Sequence, residues 1–170
     1  ALNDGLVLHW PLESDAQDAS GEEHHGTLTG STVSVAGAFG GQAVQFGESD
    51  GFGSITTPLT DRLRFERFTD FSIGLWVRAP LSTSGVLIAN KPTSNSANEG
   101  WSLSILEDGS LRWNMGDGVR QETLGTIAGA VSGGDWHHVG VDVDRLLSAT
   151  IYLDGQLAAS KAVDQLRSSD

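Results

Sequence analysis

The chain has 170 residues, of which 22 are Gly and none is Cys, and 10 Lys and Arg against 22 Asp and Glu leave a formal net charge of −12. That length fits one domain with its own hydrophobic core. The acidic balance speaks against a nucleic-acid or anionic-membrane ligand, the missing Cys excludes disulfides, thiolate metal sites and thiol nucleophiles, and no stretch nears the ~20 apolar residues of a membrane span.

The chain begins at Ala1 with no charged-then-apolar leader. It is read as a mature secreted form, a trimmed chain or an excised domain. Residues 5–10 (GLVLHW) predict a first strand, closed by Pro11, and residues 13–23 an acidic loop. Strands are expected at 25–28, 32–35 and 43–46. Helical periodicity is confined to residues 60–68, through Leu63, Phe65 and Phe68, and a short strand with a turn satisfies that segment equally. Residues 71–78 (FSIGLWVR) alternate, with Phe71, Ile73, Leu75 and Val77 on one face and Ser72, Gly74, Trp76 and Arg78 on the other. A strand at 86–90 and a polar loop at 91–100 follow. Strands 101–106 and 111–115 then flank Glu107-Asp108-Gly109-Ser110. Residues 136–143 alternate through Val139, Val141 and Val143, and strands 149–153 and 156–159 flank Asp154-Gly155, a two-residue hairpin turn. Asp-Gly pairs begin at Asp4, Asp50, Asp108, Asp117 and Asp154, where both residue types tolerate the backbone of tight turns. Short strands at intervals of about 8–12 residues fit an all-β sandwich or jelly roll.

Several stretches carry a resemblance. Asp15, Asp18, Ser20 and Gly21 form a D-x-x-D-x-S-G loop, and His25, Gly26 and Gly30 an H-G-x-x-x-G strand. Residues 37–52, 71–79, 90–91, 100–113, 135–144 and 151–156 follow in matching order. The chain resembles the laminin-G-like domains of the concanavalin-A-like lectin/glucanase superfamily. The resemblance implies a concanavalin-A-like jelly-roll sandwich of two antiparallel sheets over residues 1–170. The family pattern continues to a last strand beside the first, so the resemblance also implies a fragment of a multidomain protein, with its C-terminal strand lacking and the edge of residues 6–10 unpaired.

No catalytic constellation is found. Glycoside hydrolases of that superfamily place three acids on one strand face as E-x-D-x-E. Here Asp142 and Asp144 have the spacing without a Glu, and Glu13-Ser14-Asp15 and Glu48-Ser49-Asp50 lack the third acid. His24 and His25 are adjacent, as are His137 and His138, and adjacent strand residues point to opposite faces. These histidines are read as structural, and His9 as packing beside Val7.

Calcium is the cofactor expectation. Ca²⁺ takes six to eight oxygens, and Glu13, Asp15 and Asp18, with Asp50 as partner, are the candidate ligands. An acidic, solvated surface explains the same residues equally well. For a glycan, aromatic faces must stack on the sugar while polar side chains bind hydroxyls. Trp76 and Trp136 are expected in the core. Trp101 and Trp113, with Lys91, Glu99 and Asn114, form the candidate glycan face, and packing is the competing reading for each Trp.

The expected function is a non-catalytic, lectin-like carbohydrate-binding module, calcium-stabilised and secreted or at the cell surface, with the periplasm as the alternative. Its partners would be a glycan or polysaccharide and neighbouring domains of a parent chain. Two alternatives are a structural or protein-interaction module, packing against a catalytic or adhesive domain, and a divergent glycoside hydrolase.

Overall fold

A computed structural model of the chain describes residues 4–47, 51–65, 69–90 and 99–163. The candidate site residues Asp50 and Lys91 lie outside them, as do residues 164–170, on which the expectation of an absent last strand bears. The chain divides into two compact units, residues 1–63 and 64–170.

In the first unit, β1 (Thr27–Gly30) pairs with β4 (Gly53–Thr56), and β2 (Thr32–Ala36) pairs with β3 (Gln42–Phe46), each as a two-stranded antiparallel sheet. The glycines of the H-G-x-x-x-G stretch have physical reasons to be there. A Cβ on Gly26 would approach the Ile55 side chain to 2.5 Å and that of Ala16 to 2.8 Å. Gly30 has φ +74°, and a Cβ there would collide with the Phe52 carbonyl.

Residues 6–10 form no strand among the described residues, which corrects the expected first strand. Hydrogen bonds to the following loop hold them instead. The His9 N–H donates to Asp18 Oδ1 at 2.9 Å, the Ala19 N–H to the His9 carbonyl at 2.8 Å, and Trp10 Nε1 to the His24 carbonyl at 2.9 Å. Alternation placed these residues in a ladder, but this segment's donors and acceptors are taken locally. His9 is exposed, which corrects its assignment to packing. Of the helical candidate at 60–68, the described residues 60–65 hold one turn, α1 (Asp61–Arg64).

The second unit holds β5 (Phe71–Arg78), β6 (Gly85–Ala89), β7 (Glu99–Ile105), β8 (Leu111–Asp117), β9 (Gln121–Gly125), β10 (Trp136–Val143), β11 (Ser148–Leu153) and β12 (Gln156–Ala162). They form two four-stranded antiparallel sheets, ordered β12-β11-β10-β5 and β6-β7-β8-β9. The chain is therefore all-β, as expected. One apolar core lies between these two sheets. Phe71, Val139, Val141, Val143 and Ile151 enter it from one, and Trp101, Leu103, Ile105, Leu111, Trp113 and Met115 from the other. Burying such side chains stabilises the fold by about 1.5–3 kcal/mol each. Lys161 on β12 ties the sheets along one edge, with Nζ 2.7 Å from Glu122 Oε2 and 3.2 Å from the Thr123 carbonyl on β9.

Candidate functional site

The period-two alternation that sends Phe71, Ile73, Leu75 and Val77 toward the core sends Ser72, Gly74, Trp76 and Arg78 to the outer face of β5. Registers extend that face across the sheet. Trp76 lies opposite His138, Gly74 opposite Gly140, and Ser72 opposite Asp142; across the next pair, Gly140 faces Tyr152 and Asp142 faces Thr150. Trp76 is 44% exposed and Tyr152 38%. The sequence reading put Trp76 in the core, and its position corrects that. Trp136, also expected in the core, is half-buried with the Arg78 guanidinium 5.2 Å above its ring.

The Trp76 and His138 rings stand 5.2 Å apart at 54°. His138 leans over Gly74, with Nε2 3.4 Å from where a Cβ would be. Two strand spacings and a two-residue step put Trp76 and Tyr152 about 12 Å apart, with His138 and Gly140 on the strand between. A β-bulge between Ile151 and Tyr152 shifts the β11–β12 register, so that Tyr152 meets Leu157 while Ile151 meets Ala159. The extra residue is Ala158, so the bulge belongs to β12.

Hydroxyls and a carboxylate border the aromatic groups. Ser72 Oγ donates to Asp142 Oδ1 at 2.6 Å, and the Thr150 and Ser160 hydroxyls are 3.0 Å apart. At one end of β10, Asp154 in the β11–β12 turn accepts from the His137 ring Nδ1 and from the His138 N–H, each at 2.8 Å. The His137 bond and the His138 N–H hold its carboxyl below the ordinary carboxylate range. This face combines exposed rings, acceptors and an uncovered glycine.

The expected glycan residues lie elsewhere. Trp101 is 4% exposed and Trp113 1%, stacked 5.3 Å apart beside Phe71. Their indole N–H groups are buried with no acceptor. Buried rings cannot stack on a sugar, so this corrects the candidate glycan face and leaves packing as their role. Glu99 is exposed, whereas Asn114 lies on the opposite face of the β7–β8 hairpin. There Asn114 Oδ1 accepts from Gln121 and Thr123.

The described candidate calcium ligands, Asp18, Asp15 and Glu13, each accept backbone hydrogen bonds. Asp18 accepts from the backbone N–H groups of His9, Ser20 and His24 and from the Ser20 hydroxyl, at 2.8–2.9 Å. Partial burial pushes its carboxyl up, but these bonds more than reverse that and hold it well below the carboxylate range. Asp15 Oδ1 accepts from the Gln17 N–H, and Glu13 Oε2 from the Gln42 N–H. Among the described residues no group of three or more acids or histidines could hold a metal. The paired histidines are structural in the first unit, as expected. His24 Nδ1 donates to the Val7 carbonyl and Nε2 meets Thr60 Oγ1, while His25 Nδ1 accepts from the Asp18 N–H.

Residues 13–170 match the family described as Clostridium neurotoxin, N-terminal receptor binding. The chain belongs to that receptor-binding family. This overturns the laminin-G resemblance: the motifs that carried it are short turn and strand patterns, whereas the family match runs over nearly the whole chain. As a member of the neurotoxin receptor-binding family the chain is a binding module, not an enzyme.

Among the relatives of this receptor-binding domain is paraclostridial mosquitocidal protein 1 of Paraclostridium bifermentans. It is 28% identical over 184 residues, which cover 99% of this chain and 14% of that protein. The crystal structure of that protein's binding domain is also similar, with 26% identity, a TM-score of 0.81, and coverage of 98% of this chain and 42% of that one. The binding domain of botulinum neurotoxin DC, solved with rat synaptotagmin II, shares the fold at 18% identity and a TM-score of 0.76, over 98% of this chain and 41% of that one. The receptor-binding domain described here thus spans less than half of the solved binding domains it matches.

Alternation alone assigned Trp76, Gly74 and Arg78 to one face. A Trp among Gly and Ser on the face opposite four apolar residues was the signal that could have found the outer site.

Proposed function

We propose that this chain contributes to receptor engagement by a toxin-like protein outside the cell, and that the receptor group it holds is a glycan on the outer face of the β5–β10–β11–β12 sheet. The observation that carries this reading is the exposed Trp76 ring beside His138, across from Tyr152 and bordered by Ser72, Asp142 and Thr150. Rings supply the stacking surface for a pyranose and the border supplies hydroxyl acceptors and donors. The botulinum neurotoxin DC binding domain has been solved with SialylT, at 17% identity, and with rat synaptotagmin II. The rings and hydroxyls of this face favour the glycan class. A protein receptor is the second reading, favoured by the shallow cleft that Leu157 and Ile127 line, at 65% and 82% exposure.

Calcium is not needed for this reading. A single-domain organisation and a jelly-roll winding belong to it, supported by a family match that runs through both compact units. The test is a glycan array probed with the wild type and with Trp76→Ala. Glycan signal that Trp76→Ala reduces at least tenfold, without a change in melting temperature, supports the reading. Absence of any glycan signal, or a signal indifferent to Trp76, sinks it.

A further inference from the structure

We infer that the outer face takes a linear oligosaccharide laid across the strands, with Gly140 as the floor of its track and Trp76 and Tyr152 as its two ends. This rests on the glycan reading above and specifies the size and lie of the ligand.

Gly140 is unusual for its place. It sits inside β10, paired on one side with Gly74 of β5 and on the other with Tyr152 of β11. Glycine in a strand interior weakens the strand and often marks close approach by a ligand or another backbone. Its φ lies outside the left-handed region, so the backbone does not require glycine. Packing does not require it either: a Cβ there would meet only the Tyr152 Cβ at 3.6 Å and the Ile73 carbonyl at 4.0 Å, both ordinary contacts. Gly74 is different, because the His138 ring already leans over it. Gly140 therefore leaves a notch in the row between the His138 ring and Tyr152.

A bulge lies opposite Tyr152 on the neighbouring strand, with Ala158 of β12 as the extra residue between Leu157 and Ala159. It shifts the β12 register next to Tyr152, whose Cβ is 3.6 Å from the Cβ position of Gly140. Bulges recur next to functional sites. From Trp76 to Tyr152 the track runs about 12 Å, the span of two to three linked pyranose rings. One ring stacked on Trp76 would leave Tyr152 unused. Two contacts joined by one rigid ligand convert the second into an intramolecular event and strengthen both.

The test uses the intact chain on an array of mono- to pentasaccharides, followed by titration of the best trisaccharide and its constituent monosaccharides. Gly140→Val fills the notch with a side chain that strands favour. Its melting temperature should hold or rise while trisaccharide affinity falls at least tenfold. Gly140→Ala should fall between, and Tyr152→Ala, which removes an exposed ring and leaves the strand interior untouched, should lose at least fivefold. Monosaccharides should bind at least thirtyfold more weakly than the trisaccharide. If monosaccharides bind as well as the trisaccharide, or if Gly140→Ala and Tyr152→Ala both bind like wild type, the track is wrong and the glycan reading survives. If no saccharide of any length binds, the glycan reading falls and the track falls with it.

Discussion

Asp18 holds more of its neighbourhood than any other described acid. Its two oxygens collect four hydrogen bonds, from His9, Ser20 and His24, and close residues 9–24 into one loop. Asp18→Asn would turn one acceptor oxygen into a donor facing the His24 N–H and the Ser20 hydroxyl. We expect a loss of about 2 kcal/mol at pH 7, allowing for solvent screening. The folded carboxyl titrates below its unfolded value of about 3.9, so its contribution is complete above that pH and is lost as pH falls toward the folded pKa. Urea titrations at stepped pH should therefore show wild-type stability falling more steeply than that of Asp18→Asn between pH 5 and pH 2. The D-x-x-D-x-S-G spacing is visible in the sequence, which leaves calcium and a solvated acidic surface equally open. Acids within reach of metal geometry and acids that cap backbone N–H groups share one composition, and only the positions of the donors separate them.

At the scale of elements, the hairpins were the most legible part. Asp108-Gly109 and Asp154-Gly155 both turn where expected, because they meet backbone demands that few residues meet. Gly109 has φ +75°, and a Cβ there would sit 3.0 Å from the Val131 carbonyl and the Ser132 Cβ. Gly109→Ala should cost about 2 kcal/mol, seen as a lower urea midpoint with an unchanged slope. Trp113 on the following strand packs against Trp101 and Phe71 at 1% exposure, and Trp113→Ala should cost about 4 kcal/mol in the same measurement. Strands β4 and β9 were not legible. β9 buries one large side chain, Leu124, and forms because β8 offers it a ladder from Arg112 to Gly116. Such a strand is set by its neighbour, and nothing in GSIT or QETLG announces it. The reverse holds for residues 6–10, whose alternation is strand-like while local hydrogen bonds take their place in the structure.

For the whole molecule, the charge of −12 excluded ligand classes without locating a site. Among the described residues the acids of the first loop form no group of three that could hold a metal, and Asp18, Asp15 and Glu13 accept from backbone N–H groups. Millimolar Ca²⁺ against EDTA should therefore leave the melting temperature unchanged, where binding at a folded site would raise it by mass action. What the sequence determined alone was the all-β class, most strand positions and the two faces of β5 and β10. These follow from a period of two and from turn residues, both local properties. Its short motifs were shared too widely to decide the family, which nearly full-length similarity decided instead. Only the tertiary structure decided which tryptophans see solvent. Trp76 alternates with Ser72, Gly74 and Arg78, and Trp101 with Leu103 and Ile105, so each segment hints at its face, but neither shows which face a second sheet covers. Trp101 points at a second sheet and Trp76 points away from it, so burial, and with it the surface open to a receptor, is a property of the layer opposite.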